Sequence, residues 1–124
     1  MTNMSVLYIT KNDTMTLFVQ RVLENERPDL DYRFALNLKD GRTLLLQHHV
    51  DLVILDMDLP NNVSEEFLKW IKSHESLKHI FVIGAMAIMP GRPRMFSELD
   101  GYLSKPFGVS QLLGAVGLIL GKEA

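Results

Sequence analysis

The 124-residue sequence holds no cysteine. Disulfides, thiolate nucleophiles and cysteine-ligated zinc are therefore excluded, and a reducing compartment such as the cytoplasm is the expected location. No apolar run approaches the roughly 18 residues that a membrane-spanning helix needs; the most apolar stretch, near the C-terminus, is interrupted by Gly114, Gly117 and Gly121. Nor does Met1–Ser5 join a basic region to an apolar one, so no secretory signal is expected. Neither sign of charge dominates. Thirteen Lys and Arg stand against 15 Asp and Glu, for a formal net charge of −2, which offers no footprint for nucleic acid or an anionic membrane. What is present, 47% hydrophobic and 23% charged residues, suits one globular domain over residues 1–124.

Short apolar runs alternate with segments of helical period. Val6-Leu7-Tyr8-Ile9 reads as a strand, followed by a helix with Asp13 as its N-cap and Met15, Phe18, Val19, Val22 and Leu23 on one face. Pro28 ends that helix. Tyr32–Ala35 alternates like a half-buried strand, and Asn37 caps a second helix running to about His48. Leu52–Leu55 is continuously apolar, as a central parallel strand covered on both faces must be. Ser64 caps a third helix, with Glu65 and Glu66 where the helix dipole favours carboxylates. Ile80–Ile83 and Tyr102–Ser104 read as the last two strands, and Val109–Leu120 as a final amphipathic helix. This alternation predicts an α/β fold: a doubly wound parallel sheet whose sites lie beyond the carboxyl ends of the strands. The residues expected there are Thr10, Lys11, Asp56, Asp58, Gly84 and Lys105.

Two segments carry chemistry: Asp51-Leu-Val-Ile-Leu-Asp56-Met-Asp-Leu-Pro60 and Gly101-Tyr-Leu-Ser-Lys105-Pro-Phe107. A carboxylate after a central strand and a lysine after a later one converge at one edge of a parallel sheet. On these segments the whole chain resembles the response-regulator receiver (CheY-like) family. The resemblance implies a flavodoxin-like (βα)5 sandwich with five parallel strands in the order 2-1-3-4-5. It makes Asp56 the phospho-acceptor equivalent and Lys105 the phosphate contact, with a cis bond before Pro106. It also puts Tyr102 at the aromatic switch position and Ala85 at a small residue after the fourth strand.

The departures from that family are equally specific. Its pair of Mg²⁺-holding acids after the first strand reads Thr10-Lys11 here, and an ammonium cannot ligate a metal. Its hydroxyl residue after the fourth strand reads Gly84, and the usual glycine after the conserved proline reads Ser64. Lys11 either pairs with Asp56 or points into water. The expectation is an atypical receiver: a regulatory, protein-binding module of two-component signalling, not an enzyme, with no Mg²⁺ or other cofactor and no dependence on phosphorylation. The alternative is a phospho-accepting Asp56 with unusual Mg²⁺ ligation, for which Asp13, Asp56 and Asp58 are the available acids. Expected partners are signalling proteins such as a histidine kinase or an output domain, and a homodimer is open.

Met89–Arg94 contains Pro90 and Pro93 and cannot be continuous helix; its Arg92 and Arg94 are either output-face contacts for an acidic partner or a solvated loop. Gly114, Leu118 and Gly121 form a small-residue stripe that either accepts a partner helix or is plain surface. His48 and His49, adjacent on a helix, diverge too far to share an ion. Two enzyme-like or cofactor readings stay in view. Asp56-Met57-Asp58 resembles the nucleophile motif of haloacid-dehalogenase-like phosphatases, but Pro60 stands where a threonine or valine is usual. Thr10–Thr16 resembles a flavin phosphate loop without its glycine.

Overall fold

Each apolar run pairs with the next in parallel, and the segments of helical period cross between them. A computed structural model describes residues 3–88, 91 and 96–121. In chain order the elements are β1 (Ser5–Ile9), α1 (Asp13–Glu26), β2 (Asp31–Ala35), α2 (Leu38–Gln47), β3 (Leu52–Asp56), a 3-10 turn (Pro60–Asn62), α3 (Val63–Ser73), β4 (Phe81–Ala87), β5 (Gly101–Lys105) and α4 (Val109–Leu120). All strand pairs are parallel, in the order β2-β1-β3-β4-β5. The fold expected from the alternation is the one observed. Among the described residues no helix lies between β4 and β5, and none is long and apolar enough to cross a membrane.

β1 and β3 are buried along their whole length because both faces are covered. Leu7, Ile9, Val53, Leu55 and Val82 share one core with Phe67, Leu68 and Ile71 of α3. Val6, Tyr8, Leu52, Ile54 and Ile83 share the other with Val19 and Leu23 of α1 and Leu112 and Val116 of α4. Period-two alternation along each strand feeds both cores. Gly41 lets α2 settle onto β1, since a Cβ there would lie 2.6 Å from Ile9 Cδ1. On the same side Trp70 packs against Phe67 and His74, with the Arg42 guanidinium 4.7 Å from its ring centre.

The amino-terminal edge of the sheet is laced by two carboxylates. Asp51 accepts from the Ser5 amide (2.8 Å) and from His49 Nε2 (2.8 Å), while its backbone bonds both Ser5 and Phe81. Asp100 accepts from the Val82 amide (2.8 Å) and Lys72 Nζ (2.9 Å), and its own amide donates to the Val82 carbonyl.

Several local expectations need correction. The N-cap of α1 is Asn12, which accepts from the Met15 amide; Asp13 is the first helical residue. Asn62, in the left-handed region that asparagine tolerates, precedes α3. Ser64 thus lies inside the first turn and caps nothing. β4 does not stop at Ile83 but continues through Gly84 to Ala87. The segment with Pro90, Arg92, Pro93 and Arg94 lies outside the described residues.

Candidate functional site

The carboxyl ends of β1, β3, β4 and β5 meet around Asp56. Alternation places Thr10 on the same face as Tyr8, at the exit of β1, where its hydroxyl donates to Asp56 Oδ2 (2.8 Å) and accepts from the Asn12 amide (3.3 Å). Asp56 ends β3 and is 7% exposed. Its Oδ1 accepts from the Asp58 amide (2.9 Å) and from Lys105 Nζ (2.6 Å). The Ser64 hydroxyl donates to its backbone carbonyl at 2.5 Å, tying α3 to the same residue. A buried carboxylate is tolerable only with such partners, and Asp56 has three donors on its two oxygens.

Lys105 is shared. Its Nζ lies 3.2 Å from Asp58 Oδ2, and the same oxygen accepts from the Ala87 amide at 2.9 Å. Asp58 therefore turns back over the sheet and joins the ends of β4 and β5. Lys11 is exposed and makes no ion pair among the described residues. The open choice at Lys11 falls to solvent, and the cation on Asp56 is Lys105.

A cavity of about 680 Å³ opens beside this cluster, lined by Tyr8, Thr10, Lys11, Met15, Lys105 and Phe107 among others. Tyr8 forms part of its floor. Burial first, then the negative Asp56 nearby, pushes the Tyr8 phenol up to about 12, and the Thr10 hydroxyl offsets part of this. Tyr8 was absent from the sequence-derived site. Its signal was there, two residues before Thr10 on a strand and so on the same face. The Lys105–Pro106 peptide is cis, as the Lys-Pro-Phe motif implied.

Residues 6–117 match the family model described as the response regulator receiver domain. The chain belongs to the response regulator receiver family. It is 31% identical over 121 residues to the polar-differentiation response regulator DivK of Brucella ovis, covering 94% of this chain and 96% of that protein. Its fold is similar to that of the chemotaxis response regulator CheY4 of Vibrio cholerae, with a TM-score of 0.82 at 19% identity, over 95% of this chain and 99% of the other. It is also similar to a receiver-modulated diguanylate cyclase structure from Pelobacter carbinolicus (TM-score 0.73, 27% identity, over 94% of this chain and 92% of the other).

Within this receiver the residues expected at the site divide. Thr10, Asp56, Asp58 and Lys105 converge. Gly84 does not: it sits in the interior of β4 opposite Leu55, where a Cβ would meet Leu99 Cδ1 at 2.6 Å and Met57 Cγ at 3.0 Å. Ala85 likewise lies within the strand, opposite Asp56. The residues at the end of β4 are Met86 and Ala87, and neither has a hydroxyl. Tyr102 turns toward the β4–β5 connection, its hydroxyl bonding both the amide and the carbonyl of Phe96 at 3.2 Å. Asp13 is exposed on the first turn of α1, and among the described residues no three His, Cys, Asp or Glu side chains are grouped so that they could hold a metal ion. Leu118 is 85% exposed on α4. Arg92 and Arg94 lie outside the described residues.

Proposed function

We propose that this receiver domain is an atypical one, a regulatory protein-binding module whose output does not depend on phosphorylation of Asp56. One observation carries the reading: the Asp56 carboxylate is already held by Thr10, Lys105 and the Asp58 amide. The donor set around it does not fit Mg²⁺. That ion is bound through a near-octahedral shell of oxygens, usually with one or two carboxylates. Here a hydroxyl and an ammonium stand in place of the acid pair, and Lys105 bridges the two remaining carboxylates. Phosphoryl transfer to a carboxylate needs its charge neutralised and its geometry fixed, and a metal supplies both. A lysine supplies charge without that geometry.

On this reading the domain acts in the cytoplasm without catalysing a reaction, and its partners are signalling proteins such as a histidine kinase or an output domain. The test is incubation with acetyl phosphate and millimolar Mg²⁺, followed by mass spectrometry and by amide spectra of Asp56 and its neighbours. The expected result is no acyl phosphate and no saturable shift. A stable adduct of one phosphoryl group on Asp56 would replace this reading with that of a working phospho-acceptor.

A further inference from the structure

β2 stands at one margin of the sheet, and among the described residues it pairs with β1 alone. The Asp31 amide donates to the Met4 carbonyl, and the Thr10 amide to the Ala35 carbonyl. Inward and outward groups alternate along such a strand, so Asp31, Arg33 and Ala35 face β1, while Tyr32 and Phe34 turn their N–H and C=O groups outward. An open edge is a template for another strand unless proline, lysine or a bulge blunts it. Asp31–Ala35 holds neither proline nor lysine, and its register with β1 runs without a bulge. On one face of the strand Phe34, 45% exposed, stacks on Tyr32 with ring centres 6.4 Å apart. On the other, Asp31 and Arg33 are exposed. Among the described residues Arg33 has no ion-pair partner, and the Asp31 side chain meets only Asn3 Nδ2, at 3.4 Å.

We propose that the domain pairs with a second copy of itself along β2, antiparallel and centred on Tyr32, so that two five-stranded sheets become one. Charge selects both the occupant and the register. A two-fold axis sets β2 antiparallel to its counterpart, and the outward groups allow it to centre on Tyr32, Arg33 or Phe34. Centred on Arg33, the two guanidinium groups face each other, and like charges directly opposite are destabilising. Centred on Phe34, Arg33 faces Ala35 and gains no partner. Centred on Tyr32, Arg33 of each protomer faces Asp31 of the partner subunit, and symmetry makes the pair twice. These are the positions without mutual backbone bonds, where opposed side chains approach closest. The two Tyr32 residues meanwhile exchange N–H to C=O bonds across the axis. The strand ends that surround Asp56 are those of β1, β3, β4 and β5, so this pairing does not draw on the chemistry there.

Sedimentation equilibrium of the full chain, from micromolar to millimolar protein, measures the association, and circular dichroism confirms that each variant is folded. The wild-type chain should dimerise reversibly, with hydrogen exchange at the Tyr32 and Phe34 amides slowing as concentration rises. Arg33→Asp and Asp31→Arg each set like charges against one another at both contacts, and each should raise the dimer dissociation constant at least about tenfold. Combining the two exchanges the charges, and the double variant should return to within about threefold of wild type. If one single variant fails to fold, the other carries the comparison. Leu118→Glu, on the exposed face of α4, should leave the dimer intact. A wild-type chain that stays monomeric at millimolar concentration overturns the proposal. So do single reversals that dimerise like wild type, a folded double variant that stays as weak as the singles, or a dimer lost with Leu118→Glu.

Discussion

Putting serine at position 84 separates two accounts of where this receiver lost its hydroxyl. If Gly84 stood at the pocket, Gly84→Ser would restore a hydroxyl beside Asp56 at little structural expense. The structure says otherwise: a Cβ at Gly84 points at Leu99 Cδ1 (2.6 Å), Leu99 Cδ2 (3.2 Å) and Met57 Cγ (3.0 Å). Leu99 and Met57 are both buried, at 8% and 3% exposure. Both are flexible side chains that can yield, so overpacking should cost about 1–3 kcal/mol. An alanine recovers roughly 0.5–1 kcal/mol of this, because glycine in a strand interior is entropically unfavourable. Serine adds a hydroxyl inside an apolar core, worth about 1–3 kcal/mol if it finds no partner. Gly84→Ala should therefore lose about 0–2.5 kcal/mol and Gly84→Ser about 1–5.5 kcal/mol. Urea unfolding, followed by circular dichroism and Trp70 fluorescence, measures both. A Gly84→Ser domain as stable as wild type, with shifted amide signals at Asp56 and Ala87, would refute the placement of Gly84 in the core.

Lys105→Met leaves Asp56 and Asp58 facing one another without their shared ammonium. Because Lys105 is 29% and Asp56 10% exposed at the side chain, the loss should lie between a surface and a buried pair, about 1–3 kcal/mol by urea melt; a loss below about 0.5 kcal/mol would show the pair to be inert. Thr10→Val keeps the volume but strips the donor to Asp56 and the acceptor of Asn12, and should destabilise by about 1.5–3 kcal/mol, with the Asn12 amide losing exchange protection. Tyr8 gives a pH signature. Its phenol is raised from 10 to about 12, so the stability this burial of a neutral ring confers is whole below pH 10 and lost as pH rises from there through 12. Absorbance titration should find Tyr8 neutral at pH 11, and Asp56→Asn should lower its value while burial keeps it above 10; no change in that variant would mean that Asp56 carries no charge there.

What the sequence could reveal followed from how locally each feature is encoded. Leu52–Leu55 could hardly be anything but a covered strand, and Asn37 capped its helix as its type suggests. The apolar run Ile80–Ile83 stops short of the true end of β4, which continues through Gly84 because the strand has room there for no side chain where Leu99 leans in. The partners of Asp56 were half legible. The strand order brings Lys105 to it, but no pattern in the chain says that Asp58 folds back onto Ala87, or that the Ser64 hydroxyl turns from its helix to the Asp56 carbonyl. Those depend on side-chain direction, which only the assembled sheet fixes.

The lacing by Asp51 and Asp100 has a mechanical consequence. Those carboxylates rivet the amino-terminal edge, joining β1 to β3 and β4, and β4 to the entry of β5. The opposite edge is held by Asp56 and Asp58 through Thr10, the Ala87 amide and Lys105. A sheet fixed along one margin cannot slide strand past strand; it can only splay, like a fan opened from its pivot. Lys105 is thus the side chain at which the tips of β3 and β5 and the carboxylate bonded to the end of β4 meet, and Tyr102, seated on the backbone of Phe96, ties β5 to the connection that precedes it.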